Sequence, residues 1–152
     1  MNIEKEIINH FYNVPVVVEK RFCSRAVLKL VVSDETGLVK KCDPEVFQIA
    51  NDSWADEKMI KGLNSKMKKI ARQFNPRLVG ILHEIGHAKT VIGMNWDFNK
   101  QFRILVNNLD VDEIFAIRLY RKIPIENVAD KWAINWLIEN SELAHHWSQL
   151  LN

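Results

Sequence analysis

Pro76-Arg77-Leu78-Val79-Gly80-Ile81-Leu82-His83-Glu84-Ile85-Gly86-His87 is the stretch on which the fold and the chemistry of this chain turn. Asn75 is a candidate N-cap and Pro76 suits a first helical turn. Leu78, Val79, Ile81, Leu82, Ile85, Ala88 and Val91 would cover most of a helix over Arg77 to Val91, which predicts a buried helix. His83 and His87 stand at i and i+4, one above the other on one face. Two imidazoles at that spacing can grip one metal ion from one side, and Glu84 projects beside them, within reach of a metal-bound water. This H-E-x-x-H turn supplies two ligands and a general base for a zinc site. With this His and Glu content the pattern arises by chance with a probability on the order of 1%. A His-Glu-His trio on a buried helix needs partners, because burying unpaired polar groups is costly. Gly80 and Gly86 lower helix propensity but let another element approach closely. The plainer alternative is two satisfied core histidines beside a chance Glu.

A catalytic zinc site takes three protein ligands and keeps one position open for water. Glu126 is the leading third candidate. It falls in the first turn of a helix opened by Pro124 and running through Ile138. Glu126, Asp130, Ala133 and Leu137 share one face of it, and small Ala129 and Ala133 permit close packing against the histidine helix. Asp130 could accept the second ring N–H of a ligand His and fix its tautomer. Taken alone, Glu126 is equally a first-turn acid favoured by the helix dipole. Asp97, His145 and His146 are next in line as ligands. An oxyanion donor is also needed. Tyr120, His145 and His146 are candidates, although a C-terminal His pair is more often a solvated helix face.

Outward from these two helices, Glu4 to Tyr12 suits a short amphipathic helix. Val16 to Val18 and Ala26 to Val32 read as strands, and Ser33 to Gly37 as a turn. Leu38 to Cys42 could return as a hairpin partner, with Val46 to Ala50 as an edge strand. Asn51-Asp52-Ser53 then caps a long helix, Trp54 to Phe74. Its outer face carries Lys58, Lys61, Lys66, Lys68, Lys69 and Arg72, which a solvated face explains better than a docking patch. Met94 to Asp97 reads as a loop and Phe98 to Val106 as a helix. Asp110 with Glu113 resembles a capping box for a helix to Lys122, and Ser141 caps a last helix. The expected fold is α+β: a small N-terminal sheet followed by a helical majority, with the metal site between helices.

At 152 residues the chain suits a single domain, 1–152, with a real core. A net charge of +2 gives no strong pull toward nucleic acid or a membrane surface. No run is long enough to span a bilayer, and Met1 to Glu6 is no signal peptide. Cys23 and Cys42 have no metal-like spacing and read as free thiols, which favours a cytoplasmic location.

H-E-x-x-H followed later by E-x-x-A-D, here Glu126-Asn127-Val128-Ala129-Asp130, resembles the gluzincin metallopeptidases. Trp132-Ala133 after the second motif, and Val46 to Asn51 before the helices, are similar to the ImmA/IrrE family of phages and mobile elements. The resemblance is specific over residues 78–92 and 125–137. It implies a mostly helical zincin-like domain with Zn2+ held by His83, His87 and Glu126, with Glu84 as base and Asp130 as the supporting acid. Ile85 replaces the usual Leu, and Val128 stands where the family carries an acid. Gly93 and Thr90, where a metzincin has His and Gly, exclude that class. The resemblance implies zinc-dependent hydrolysis of a peptide or protein substrate, for which an edge strand, Val46 to Ala50, could provide alignment. Such a substrate could be a regulatory protein. A non-catalytic, zinc-stabilised interaction module is the alternative, and a fourth protein ligand such as His145 or His146 would favour it. A metal-free scaffold is the third.

Overall fold

The structure is a computed structural model that describes residues 2–152. Its elements run α1 (Ile3–Asn9), β1 (Val16–Glu19), β2 (Arg25–Val32), β3 (Val39–Ala50), α2 (Trp54–Gly62), α3 (Ser65–Ala71), α4 (Pro76–Thr90), α5 (Trp96–Asn107), α6 (Glu113–Tyr120), α7 (Pro124–Glu139) and α8 (Ser141–Leu151). The fold is α+β, as the sequence predicts. No helix among the described residues is long and apolar enough to cross a membrane.

The sheet has the order β1-β3-β2, with β1 parallel and β2 antiparallel to β3. This corrects two expectations. Leu38 to Cys42 and Val46 to Ala50 do not form two separate strands, and the second is no edge. Apart from Leu38, which bridges to Asn95, both lie in the twelve-residue β3, which is central. Pro44, which argues against a continuous strand, sits at an irregularity. Val27 pairs with Val46 and Leu28 with Pro44, so Glu45 is left over. A bulge tolerates a proline that a regular ladder would not. The edges are therefore β1 and β2.

The expected long helix from Trp54 to Phe74 is broken. Gly62 ends α2, Leu63 is extended at φ −67° and ψ 155°, and the Asn64 side chain accepts from Met67 N to start α3. Both short helices bury one face, so the apolar periodicity survives the break. Nearer the site, α5 starts at Trp96 behind an Asn95 cap, taking in residues expected to be a loop. Asp112, not Asp110, caps α6 by accepting from Phe115 N at 2.9 Å, so the expected capping box does not form. Asn140 occupies the cap position of α8, and Ser141 is its first helical residue.

Helix α4 runs through the centre of the main core. Asn75 Oδ1 accepts from Arg77 N at 2.9 Å and Pro76 opens the first turn, as its sequence predicts. Leu78, Ile81, Leu82 and Ile85 are at most 1% exposed and pack with Phe47 and Ile49 of the sheet, Ile7 and Ile8 of α1, and Leu137 of α7. Each such side chain contributes about 1.5–3 kcal/mol. Together they outweigh the loss of about 1 kcal/mol at each of Gly80 and Gly86. A second, smaller core joins Val39, Val91, Val106, Ile123 and Ile125.

Gly86 has a specific task. A Cβ there would lie 2.8 Å from the Ala129 carbonyl oxygen and 3.2 Å from Ala129 Cα, both backbone atoms of α7. The two helices that carry the motifs are thus pressed together at Gly86, with Ala129 and Ala133 fully buried between them. Gly86→Ala gains about 1 kcal/mol of helix propensity but overpacks against backbone that cannot rotate away, at about 1–3 kcal/mol. Urea unfolding is expected to show a net destabilisation; a variant more stable than the wild type would contradict this packing.

Candidate metal centre

The centre lies where α4 and α7 meet, in the floor of a cavity of about 630 Å³ whose walls include Ala26, Leu28, Arg103 and Tyr120. His83 Nε2 is 3.1 Å from Glu126 Oε1, and His87 Nε2 is 3.2 Å from the same oxygen. Atoms of His83, Glu84 and His87 that could hold a metal ion also lie within 4.8 Å of one another. Which acid could be the third ligand is decided by what each carboxylate faces. Glu84 Oε2 accepts the Ala26 backbone N–H of β2 at 3.1 Å, whereas Glu126 Oε1 points between the two imidazoles.

The spacing of Glu126 from the two imidazoles is close to that around a tetrahedral ion. Bonds of about 2.0–2.2 Å give ligand–ligand edges of roughly 3.3–3.6 Å, and the two observed edges are shorter by only a few tenths of an ångström. The supporting contacts agree. His83 Nδ1 is 2.7 Å from Asp130 Oδ1, a close approach that lies off the line of the N–H. With its proton on Nδ1, the nitrogen nearer Asp130, a neutral ring would turn its Nε2 lone pair to the Glu126 carboxylate. A cation must then stand between them, either a proton on Nε2 or a metal.

The electrostatics express the same demand. Burial alone would lower the His83 pKa, but the Asp130 and Glu126 carboxylates outweigh it and push the value up to about 10. Burial would raise Glu126, but His87 and His83 hold it well below the usual carboxylate range. Burial raises Glu84 against the opposing pull of His83 and His87. A carboxylate so placed holds a proton more readily than an exposed one.

Three contributors carry no recognisable sequence signal. Arg121, 8% exposed, donates from Nη1 to Asp130 Oδ1 at 2.7 Å and from Nη2 to Glu126 Oε1 at 3.4 Å. Arg103 of α5 donates from Nη2 to Glu126 Oε2 at 3.1 Å. Two buried acids on one helix face imply some cation, but nothing in the sequence chooses these two arginines from the chain's twenty-one Lys and Arg. Asp56 of α2 is the third. Its carboxylate lies against Gly80, where any Cβ would collide with it, one turn before Glu84. Burial, with Glu84 nearby, pushes it up to about 7.

The other sequence candidates separate clearly. Tyr120 lines the cavity, and burial with the Glu126 charge raises its pKa, so its hydroxyl keeps its proton. His145 and His146 are exposed on α8 and line no part of the cavity, and His145 stacks on Phe74 with ring centroids 4.4 Å apart. They are neither ligands nor oxyanion donors in this arrangement, because α8 packs against α1 and α4 through Trp147 and Leu151 and its histidines face solvent. Asp97, in the first turn of α5, is likewise absent from the walls. No known protein family matches the chain, and neither the curated proteins nor the solved structures contain a significant match.

The metal-free protein should show the His83 proton in its stability. The folded pKa of about 10 lies above the ordinary histidine value of about 6.5. The contribution is therefore complete below pH ~6.5 and is lost as pH rises through about 10. Between pH ~7.5 and 9, chelator-treated protein should lose up to about 1.4 kcal/mol of unfolding free energy per pH unit. His83→Gln should flatten that slope. An equal slope in the variant would remove His83 as its source.

Proposed function

We propose that this protein is a zinc metallopeptidase that hydrolyses peptide bonds, acting on a specific protein or peptide substrate. The observation that carries the reading is the convergence of His83, His87 and Glu126 on one point beside a second, separately held carboxylate, Glu84. A purely structural site needs no such base. The similarity of the two motifs to those of the gluzincins supports the same assignment. His83, His87 and Glu126 would hold the ion, and Asp130 and Arg121 would orient His83 and Glu126 from behind. Zinc, when bound, supplies Lewis acidity and brings the pKa of a water in its open position to about 7.

The remaining steps belong to the chain. Glu84 takes the proton of the attacking water and passes it to the leaving amine. The Ala26 N–H aims Glu84 and places strand β2 directly beside the reacting centre. β2 pairs with β3 on one side only, and a groove of about 490 Å³, bounded by Ala26, Leu28, Leu30, Val32 and Trp96, follows it away from the centre. An extended substrate added to this edge would have its backbone held by strand hydrogen bonds. This assigns to β2 the alignment role expected of Val46 to Ala50. The two free cysteines, Cys23 and Cys42, support action in a reducing compartment such as the cytoplasm. The non-catalytic alternative would be favoured by a fourth protein ligand, and the candidates for it, His145 and His146, lie outside the cavity.

The test is a peptide library incubated with zinc-loaded wild type and with Glu84→Gln, the products read by mass spectrometry. The variant should keep its zinc and cleave about 10²–10⁴-fold more slowly. Undiminished cleavage would sink the base assignment. Zinc bound by the wild type with no cleavage at all would favour the non-catalytic module.

A further inference from the structure

Resting on the metallopeptidase reading, we propose that Arg103 is a catalytic residue that donates an N–H to the anionic oxygen formed when water adds to the scissile carbonyl. Hydrolysis needs such a donor. As the water oxygen bonds to the carbonyl carbon, the π pair moves onto the carbonyl oxygen and the water's proton goes to Glu84. When the C–N bond breaks, its electron pair leaves with nitrogen, which takes the proton from Glu84. Arg103 moves no proton; it stabilises the charge between these two steps.

Position is the first argument. Arg103 Nη2 meets Glu126 Oε2 at 3.1 Å, and the other oxygen of that carboxylate is the one at 3.1 and 3.2 Å from the two imidazoles. The guanidinium is thus one carboxylate away from the point where the donor atoms converge, and it lines the same cavity. Capacity is the second. A guanidinium has five N–H donors, and Arg103 commits one of them. Its Nε is sheltered from solvent and has no partner, while the side chain as a whole is 38% exposed. With the side chain part-exposed to the cavity and one donor spent on Glu126, the guanidinium keeps spare N–H groups for an oxyanion arriving with the substrate.

The other donors near the centre are less suitable. Arg121 is 9% exposed in its side chain and spends both terminal nitrogens on Asp130 and Glu126. Lys58 pairs with Glu113 and lies over the Trp54 ring. Arg25 is on the Gln48 side chain. Tyr120 offers one neutral hydroxyl. Arg103 combines a permanent charge and spare donors with direct contact to the Glu126 carboxylate, which Arg25 lacks.

The test uses the full-length, zinc-loaded chain and N-phosphoryl-leucinamide, a tetrahedral anion with no carboxylate. Its affinity for wild type, Arg103→Ala, Arg103→Lys and Tyr120→Phe is read by calorimetry, with zinc per chain measured on each sample. The proposal expects about one zinc throughout, binding weakened about tenfold or more in Arg103→Ala, and an intermediate value in Arg103→Lys. Affinity in Arg103→Ala within about twofold of wild type overturns it. So does a loss confined to Tyr120→Phe, or zinc lost from Arg103→Ala but kept in Arg103→Lys, which would make Arg103 a holder of Glu126 only. Wild type that holds zinc but not the probe also overturns it. Wild type that holds no zinc is a different failure: it removes the metallopeptidase reading itself, and this proposal with it.

Discussion

One carboxylate oxygen facing two imidazole nitrogens in the floor of a cavity is the contact on which the rest of this structure depends. Glu126 Oε1 sits 3.1 and 3.2 Å from His83 and His87. A buried anion beside two ring nitrogens needs N–H donors or positive charge around it. A proton can supply it, and the high pKa of His83 expresses that solution. A divalent ion can supply more, and the spacing suits one. Asp130 and Arg121 extend the same logic outward: the acid fixes the ring, and the guanidinium balances both acids.

The fold serves to hold that contact in register. Two helices must cross closely enough for side chains on facing turns to share one point, and Gly86 against the Ala129 backbone makes this crossing possible. The apolar face of α4 keeps the helix fixed in the core, so the polar face has little freedom to turn away. The sheet contributes differently. It brings an unpaired strand edge alongside, and one N–H from that edge takes a Glu84 oxygen beside the two histidines. Two carboxylates in one cavity are thereby given different surroundings.

Much of this could be read in the sequence because local chemistry dictates it. The i, i+4 spacing of His83 and His87 holds on any α-helix, and Asn75-Pro76 starts this one as its residue types demand. Glu126 and Asp130, also i and i+4, face the same way for the same reason. The misreadings came where tertiary context overrides local preference. Leu38 to Cys42 and Val46 to Ala50 read as two segments, yet a bulge at Pro44 makes one central strand of them. The apolar stripe from Ile60 to Phe74 keeps its period across a break at Leu63, because two short helices can bury one continuous face. Arg103, Arg121 and Asp56 reach the site from other elements, and the contact of Glu84 is with a backbone amide, which no side-chain pattern encodes. His145 and His146 show the converse: suitable chemistry on a helix whose packing turns it outward.

The central claim is that His83, His87 and Glu126 form one metal site. Metal content by mass spectrometry, on purified wild type and Glu126→Ala side by side, tests it most directly. The account predicts about one zinc per chain in the wild type and a clear loss in the variant. Zinc retained by Glu126→Ala, or wild type that takes up no metal even after zinc is added, would contradict it.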